Sequence, residues 1–357
     1  MIHALIMAGG RGTRFWPRSR AKTPKQLQSI TGGRTMLQET VARIAPLVPA
    51  ERVLVATGRA LVPAIRKQLP DLPRGNLIVE PVGRDTAPCV ALAASILARR
   101  DPDAVILVLP SDHVVTRPRE FVAVLRAAAR LAAREACLIT LGIRVIRPET
   151  GYGYIEAGDE AGRAGARPYF RVKRFAEKPP LATAKRYMKA GNYFWNSGMF
   201  VWSARAILAA VGEFLPETFS ICERIAGDGR APGFPRRMAR LFPTIAPLSI
   251  DYGVMEKARN IYGFAADIGW SDVGNWNSLA EVTPADAAGN VVVGRLLGLD
   301  ARDLVVHAPG KLVAAIGVAD LVIVDTPDAL LVCRRDQTQR IKDVVGTLEK
   351  RGEKSYL

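Results

Sequence analysis

The sequence predicts an α/β fold built on a Rossmann-like, mostly parallel sheet, and three observations lead to this prediction. The chain has 357 residues, of which 49% are hydrophobic, so it can bury a large core. Short apolar runs alternate with segments of helical periodicity, which is the sequence pattern of βαβ units. The first apolar run, 2–7, is followed directly by a glycine-rich basic loop, as expected at the ligand-binding edge of such a sheet.

The predicted strands and helices alternate along the first half of the chain. Strands are expected at 2–7, 52–56, 76–80, 104–109 and 137–142, and helices at 35–44, 61–69, 89–99 and 119–134. After residue 148 the alternation breaks, and we expect a substrate-facing insertion with an exposed loop at 158–168 and a strand at 170–175. The segment 226–237 is rich in turn residues.

A different pattern begins near residue 285 and predicts a second domain. Short strands are expected at 290–294, 303–307, 312–317, 320–325 and 329–333, followed by a closing helix at 336–350. Their regular spacing indicates a small β module, either a β-solenoid-like coil or a sandwich. We therefore predict a larger α/β domain at 1–285 and a β module with its helix at 286–357.

Composition excludes several classes of protein. The net charge of +16 would suit nucleic acid, but the arginines are spread along the chain without a long basic block, so we expect no nucleic-acid partner. No apolar run is long enough to span a membrane and residues 1–8 are too short for a signal peptide, so we expect a cytoplasmic protein without a membrane partner. The four cysteines lack metal-site or disulfide spacing, which disfavours zinc and redox chemistry.

The loop after the first strand has the outline of a phosphate site. Gly9, Gly10 and Gly12 lack Cβ atoms, so their backbone N–H groups can approach a polyphosphate closely. The sixth position counted from Gly10 is Phe15, which excludes the dinucleotide fingerprint, and the absence of Gly-Lys-Ser and Gly-Lys-Thr excludes a P-loop. By themselves these glycines fit an ordinary βα turn equally well. Cations of the right sign for phosphate are Arg11, Arg14, Arg20, Lys22 and Lys25.

Two further loops follow predicted strands and carry charged residues. Glu80, Arg84 and Asp85 follow the strand at 76–80, and Asp112 follows the strand at 104–109. The carboxyl ends of parallel strands are where ligands bind in such sheets. A single aspartate after a strand, such as Asp112, could be a helix cap. If Asp112 instead binds a metal, the metal expected is magnesium, which takes one or two carboxylates together with substrate phosphates.

The wider string G-G-R-G-T-R-F-W-P-R-S-R at 9–20, followed by P-K-Q at 24–26, resembles the signature of the sugar-1-phosphate nucleotidyltransferases. Among these enzymes it is most similar to the mannose-1-phosphate guanylyltransferases. The sequence departs from the family pattern at Phe15, Arg18 and Leu27. Its glycines and its other charged positions match the pattern. Further matches occur in order as L-P-S-D-H at 109–113, F-A-E-K-P at 175–179, W-N-S-G-M-F at 195–200, S-I-D-Y-G-V-M-E-K at 249–257 and D-I-G-W-S-D-V-G at 267–274.

The resemblance implies an enzyme that transfers GMP from GTP to α-D-mannose 1-phosphate, giving GDP-mannose and pyrophosphate by Mg²⁺-assisted in-line attack on the α-phosphorus. The sugar phosphate is already ionised near neutral pH, since its second pKa is about 6, and so needs no protein base. The alternative within the class is a uridylyl- or thymidylyltransferase acting on glucose 1-phosphate. Asp85, where the family often has Asn, leaves the choice of base open. An NAD-linked oxidoreductase and a nucleic-acid-binding protein are poorer alternatives.

The resemblance also implies roles for individual residues. The metal ligands for Mg²⁺ would be Asp112 and Asp272, with Arg14 and Lys25 acting on the triphosphate and Lys178 on the sugar phosphate. The implied nucleotide-binding residues are Ala8, Gly9, Gly10, Gly12, Thr13, Glu80, Arg84, Asp85, Thr86 and Ser111. The implied sugar-phosphate-binding residues are Gly153, Glu177, Lys178 and Asn196. Family members often continue into a phosphomannose isomerase domain, and because this sequence ends before one we expect a monofunctional enzyme, with a homodimer as one candidate assembly.

Overall fold

The computed structural model describes residues 1–10, 12–30, 33–227 and 229–357, so Arg11 of the glycine loop and Asp228 of the turn-rich segment lie outside the described residues. The chain forms two compact units. Unit 1 comprises Met1–Gly9, Val41–Ser111 and Arg117–Trp270, and unit 2 comprises Gly10–Thr40, Asp112–Thr116 and Ser271–Leu357. Most of the glycine-rich string thus belongs to the same unit as the C-terminal strands. The division into domains at residue 285 stays a prediction.

Unit 1 is built on a nine-stranded sheet. Its strands are β1 (Ile2–Met7), β2 (Val53–Gly58), β3 (Leu77–Glu80), β4 (Val105–Pro110), β6 (Leu138–Arg144), β7 (Tyr154–Ala164), β8 (Arg167–Ala176), β9 (Tyr193–Ser203) and β10 (Ile261–Ala265). They are arranged in the order β3-β2-β1-β4-β9-β6-β10-β8-β7. β1 is parallel to β2 and β4, and β10 is parallel to β6, whereas β9 and β8 run opposite to their neighbours. The predicted Rossmann-like, mostly parallel sheet is confirmed.

The first four helices occur where the sequence predicts them, and four more, between residues 181 and 241, were not predicted. They are α1 (Met36–Ile44), α2 (Val62–Gln68), α3 (Thr86–Arg100), α4 (Pro118–Arg134), α5 (Leu181–Ala190), α6 (Ala204–Phe214), α7 (Pro216–Ala226) and α8 (Phe234–Leu241). α3 begins earlier than the sequence suggested, because the Asp85 carboxylate accepts the Thr86 N–H at 2.7 Å and caps the helix. Among the described residues, no helix has the length and apolar character needed to cross a membrane.

The exposed loop predicted at 158–168 is wrong, because this segment forms the turn end of a long β-hairpin. β7 and β8 pair almost to their ends, where Ala164 lies opposite Arg167. Register shifts after Glu156, Ala157 and Glu160 interrupt the pairing. Such bulges break the alternation of apolar and polar residues by which a strand is read from sequence, which explains the error.

Unit 2 contains a four-stranded sheet in the order β12-β13-β14-β15. Its strands are β12 (Val291–Leu299), β13 (Val305–Ile316), β14 (Leu321–Asp325) and β15 (Leu330–Arg334), and a 3-10 turn leads into α9 (Ile341–Arg351). The short strands β5 (Val114–Val115) and β11 (Trp270–Ser271) complete the set of strands given by the described residues. β12, β13 and β14 are mutually parallel in consecutive order, as in a solenoid, so the predicted β module and closing helix are confirmed.

The prediction of separate strands at 303–307 and 312–317 is wrong, because β13 runs through both. Along its pairing with β12, Gly294 lies opposite Ala308 and the next residue, Arg295, lies opposite Leu312. The three intervening residues, which include Pro309 and Gly310, are accommodated as an irregularity within the strand. Proline and glycine normally interrupt strands, which is why the sequence suggested that one strand ends before residue 309 and another begins after residue 310.

The core of unit 2 joins the glycine-loop string to the C-terminal strands. Trp276 is fully buried, and its ring centroid lies 4.9 Å from that of Phe15. Its indole N–H donates to the Trp16 carbonyl at 3.0 Å, and the Trp16 indole N–H donates to the Tyr356 carbonyl at 2.8 Å. The same apolar cluster includes residues of β12, β13, β14 and α9. The C-terminal segment therefore supports the residues that follow the glycines.

Candidate active site

A buried lysine connects the two predicted metal ligands within unit 2. Lys25 is 3% exposed and lies in a short 3-10 turn that follows Pro24. Its Nζ donates to Asp112 Oδ2 at 3.0 Å and to the Asp272 carbonyl oxygen at 2.5 Å. The Phe15 ring centroid lies 5.4 Å from the same nitrogen. A buried ammonium needs such partners to offset its lost hydration, so Lys25 draws residues from three distant parts of the sequence together.

The carboxylate of Asp112 stays ionised and partly accessible. Burial by itself would raise its pKa, but the charges of Lys25 and His113 outweigh burial and hold the pKa of Asp112 below its ordinary value. Its side chain remains 37% exposed. The Asp272 carboxylate accepts the Gly274 N–H at 3.0 Å, which orients this second acidic side chain.

These residues fit a divalent cation of the magnesium type. Across the described residues, no group of three or more His, Cys, Asp or Glu side chains is placed to hold a metal unaided. A metal at Asp112 and Asp272 would therefore rely on these two carboxylates and on substrate oxygens, which is how Mg²⁺ commonly binds. A cation, the Lys25 ammonium, already neutralises one of the two carboxylates.

The glycine loop packs directly on Lys25. Gly12 has φ +59°, and a Cβ atom there would lie 2.6 Å from the Cβ of Lys25, so only glycine fits. The side-chain amide of Gln26 donates to the Gly10 carbonyl at 2.9 Å. Arg14 is exposed, and within the described part of the chain its side chain has no hydrogen-bond or ion-pair partner. Unit 2 thus brings together the predicted phosphate residues Gly10, Gly12, Thr13, Arg14 and Lys25.

Glu80 lies beside the exposed Gly9 in unit 1. A Cβ atom built on Gly9 would lie 3.8 Å from Glu80 Oε2, and the neighbouring Ala8 carbonyl accepts the Thr57 hydroxyl at 3.0 Å. Burial raises the pKa of the Glu80 carboxyl to about 7. Among the described residues its Oε1 is buried without an N–H or O–H donor, and the neighbouring side-chain donor to this carboxyl is the weak thiol of Cys89. An unpaired buried carboxyl oxygen is costly, and a ligand donor at this position would satisfy it.

The other predicted nucleotide residues of unit 1 are anchored to the protein. The Arg84 guanidinium donates to the Pro243 carbonyl, and the Arg84 carbonyl accepts the Leu248 N–H at 3.2 Å. The Thr86 hydroxyl accepts the Ile250 N–H at 2.8 Å. Asp85 caps α3, as described above. Ser111 is buried, and its N–H donates to the Met7 carbonyl at 3.1 Å. These contacts fix the loops after β3 and β4, and nucleotide binding by these residues stays a prediction.

The predicted sugar residues lie together in unit 1 and are called the sugar group below, and a hydrogen bond joins two of them, Gly153 and Asn196. Asn196 is 8% exposed, and its N–H donates to the Gly153 carbonyl at 2.8 Å. Its side-chain Oδ1 accepts the Thr140 hydroxyl at 3.1 Å, and its Nδ2 donates to Asp251 Oδ1 at 2.9 Å. The amide is thereby fixed in one orientation.

Glu177 and Lys178, the other two residues of the sugar group, lie next to Gly153. Lys178 Nζ lies 2.7 Å from Glu177 Oε1, and the Lys178 side chain is 58% exposed while that of Glu177 is 10% exposed. A Cβ atom on Gly153 would overlap Glu177 Oε2, so glycine is required there. Burial would lower the pKa of Lys178, but its hydrogen bond and charge interaction with Glu177 raise it above the ordinary value. The structure therefore brings all four predicted sugar-site residues together.

Comparison with known proteins assigns the family. Residues 3–289 match the nucleotidyl transferase family, and residues 294–348 match the mannoseP isomerase/GMP-like beta-helix domain. A mannose-1-phosphate guanylyltransferase of Klebsiella pneumoniae is 39% identical over 359 residues, which is 100% of this chain and 76% of the relative. The chain belongs to the mannose-1-phosphate guanylyltransferase family. It is therefore a nucleotidyltransferase that acts on a sugar 1-phosphate, as predicted.

Two further comparisons agree with this family. The xanthan biosynthesis protein XanB of Xanthomonas campestris pv. campestris is 39% identical over 350 residues, covering 98% of this chain and 73% of the relative. A crystal structure described as mannose-1-phosphate geranyltransferase from Thermus thermophilus has a TM-score of 0.89 at 36% identity and covers 98% of this chain and 99% of its own. The chain thus spans about three quarters of the length of these two curated relatives.

Two residues of the sugar group were not singled out from the sequence of this guanylyltransferase family member. Thr140 lies in β6 as the one hydroxyl within an apolar run, and a polar residue there signals a buried partner. Asp251 belongs to a recognised family string, but its burial is visible only in the structure. Burial first, and the charge of Glu177 second, raise the pKa of Asp251 to about 7.

The raised pKa of Asp251 predicts a stability that depends on pH. Between the ordinary aspartate pKa and about 7, the folded protein retains a proton that the unfolded chain has lost, so its stability falls as pH rises through this window. Asp251→Asn removes this titration. The melting temperature of Asp251→Asn relative to the unsubstituted protein should therefore increase from pH 5 to pH 8, whereas the exposed Asp159→Asn should show no such trend. If the difference in melting temperature between Asp251→Asn and the unsubstituted protein stayed constant with pH, the raised pKa of Asp251 would be contradicted.

Proposed function

We propose that the protein transfers GMP from GTP to α-D-mannose 1-phosphate, with GDP-mannose and pyrophosphate as products. The observation that carries this proposal is the cluster of Lys25, Asp112 and Asp272 in a chain whose relatives include enzymes named for this reaction. The cluster joins a buried cation to the Asp112 carboxylate and to the main-chain carbonyl of Asp272, a second acidic residue, which suits a triphosphate accompanied by a metal.

The residues of unit 2 would bind the triphosphate. Among the described residues, Asp112 and Asp272 accept two of the three N–H bonds of the Lys25 ammonium, and the third would donate to a phosphate oxygen. The exposed Arg14 offers a planar guanidinium, which matches phosphate geometry. Mg²⁺ bound by Asp112 and Asp272 would neutralise negative charge on the phosphates. Gly12 allows the backbone to pack against Lys25 and hold these donors in place.

The sugar group of unit 1 would bind mannose 1-phosphate. The exposed ammonium of Lys178 suits the phosphate, and the Glu177 carboxylate and Asn196 amide suit sugar hydroxyls. The phosphate oxygen that attacks the α-phosphorus in line is already ionised, because its second pKa is about 6. The protein's contribution is therefore to position the two substrates and stabilise their charge rather than to remove a proton.

Glu80 supports guanine as the base. Its buried Oε1 needs a hydrogen-bond donor, and guanine presents N–H donors at N1 and at its 2-amino group, whereas the corresponding edge of adenine lacks both. A site built to pair with such donors rejects analogues that lack them, because the buried polar group is then left unsatisfied. Uracil and thymine also present one ring donor, the N–H at N3, so Glu80 separates guanine from adenine, and the choice between guanine and the runner-up, a uridylyl- or thymidylyltransferase, rests on the substrate matrix below.

A matrix of four nucleoside triphosphates against mannose 1-phosphate and glucose 1-phosphate tests the proposal. The pair of GTP and mannose 1-phosphate should give the highest kcat/KM, measured by pyrophosphate release. Glu80→Gln should lower the preference for GTP over ATP by about tenfold or more, since a hydrogen bond to a charged group contributes about 1.5–3 kcal/mol. If UTP or dTTP with glucose 1-phosphate gave the highest value, the runner-up would replace the proposal.

Removal of either acidic ligand should abolish most turnover. Asp112→Asn and Asp272→Asn should each lower kcat by about a hundredfold or more, because charge stabilisation at the phosphates is lost. Asp267→Asn is the matched control, since Asp267 is 84% exposed and pairs only with Arg117 among the residues the structure describes. Near-normal turnover of Asp272→Asn at saturating Mg²⁺ would refute its role as a ligand.

The two lysines should differ in their kinetic roles. Lys25→Met should chiefly lower kcat, because it removes charge at the triphosphate. Lys178→Met should chiefly raise the KM for mannose 1-phosphate, by about ten- to a hundredfold, with a smaller effect for GTP. Lys185→Met, at an exposed position of α5, controls for loss of a lysine. Thermal melting should verify folding, and identical defects toward both substrates in both variants would contradict this division.

A further inference from the structure

A basic cavity of about 860 Å³ lies in unit 1 between β8, α5 and the segment 255–261. It exists because β8 pairs with β10 only at Phe170 and Arg171, so the two strands diverge beyond these residues. Six cationic side chains from these three elements line the cavity, and they are Arg171, Lys173, Arg174, Arg186, Lys257 and Arg259.

The positive charge in this cavity is largely uncompensated. Within the described ranges of the chain, none of the six cations forms an ion pair. The acidic residues of the lining are Glu177 and Glu256. Glu177 already pairs with Lys178, and Glu256 accepts the Glu177 backbone N–H at 3.3 Å. A concave surface with unpaired charge of one sign concentrates its field and attracts anions.

The size and lining of the cavity favour a particular class of anion. Its volume falls within the range of about 300–1,000 Å³ that is typical of small-molecule sites. Arginine and lysine suit phosphate groups, and the apolar side chains of Val172, Phe175 and Ile261 add a surface for a less polar body. The concave shape suits a small molecule better than a membrane or an extended nucleic acid.

The cavity is separate from the candidate sugar group. Of the described residues that line it, Glu177 is the one shared with that group, while Gly153, Lys178 and Asn196 do not contribute. We propose that this cavity binds a phosphorylated metabolite of nucleotide size at a place distinct from the substrate sites.

Binding of ADP as a probe, measured by isothermal titration calorimetry, tests this site. The Lys25→Met background weakens the candidate catalytic phosphate site, and Arg186→Glu is compared with Lys189→Glu in that background. Both positions are exposed on α5 and both changes reverse one charge, but only Arg186 lines the cavity. Arg186→Glu should weaken ADP binding by about tenfold or more, and Lys189→Glu should leave it unchanged.

Each other outcome overturns the proposal. Equal ADP affinity in the two variants, or no detectable ADP binding, would show that the cavity is not such a site. If inorganic phosphate bound as tightly as ADP, the nucleotide-sized class would be wrong. If a single-stranded oligonucleotide bound and ADP did not, the surface would serve a polymer instead. Lys173→Glu provides a second cavity variant in case Arg186→Glu fails to fold, as judged by circular dichroism.

An occupied cavity should also affect the neighbouring sugar group, and this consequence rests on the proposed function. A bound anion beside Glu177 lowers the positive potential near Lys178, so ADP should raise the KM for mannose 1-phosphate at saturating GTP. In the protein that retains Lys25, the effect should occur with Lys189→Glu and be lost with Arg186→Glu. An equal effect of ADP on both variants would overturn the coupling. Failure of the proposed function would instead appear as absent turnover of mannose 1-phosphate, which leaves the calorimetric result intact.

Discussion

The buried ammonium of Lys25 is the constraint on which unit 2 depends. It is held by the Asp112 carboxylate and the Asp272 carbonyl, and the close approach of Gly12 leaves no room for a side chain on the glycine loop. Removal of one partner from a fully buried ion pair costs about 3–5 kcal/mol, and the cost is smaller here because Asp112 is partly exposed. The same contacts that stabilise the unit thus place the glycine loop, for which we propose phosphate binding, beside the Asp112 carboxylate and the main chain of Asp272.

The C-terminal strands contribute to this arrangement from within unit 2. Phe15 and Trp16 follow the glycines directly in sequence, and they share one apolar core with Trp276 and with residues of the β module. Hydrogen bonds from Trp276 to Trp16 and from Trp16 to Tyr356 fix the path of the loop. Within this unit, residues of the module therefore support the loop.

The sequence predicts most of what is local or carried by a motif. The apolar run of β1 and the glycines after it indicate a strand and a ligand loop, and the family strings indicate Lys25, Asp112 and Asp272 before the structure shows them in contact. The hairpin of β7 and β8 is not predictable in this way, because its bulges interrupt the alternation of apolar and polar residues from which a strand is predicted. The basic cavity also escapes sequence reasoning, because its cations lie between residues 171 and 259 and share no motif.

Binding of Mn²⁺ as a substitute for Mg²⁺ tests the central claim most directly, because it reports on the acidic pair without turnover. Electron paramagnetic resonance of Mn²⁺ with the protein and GTP can compare the unsubstituted chain with Asp112→Asn and with the exposed control Asp267→Asn. We predict one protein-bound Mn²⁺ in the presence of GTP, with affinity reduced about tenfold or more by Asp112→Asn and unchanged by Asp267→Asn. Equal Mn²⁺ affinity in all three proteins would contradict the account.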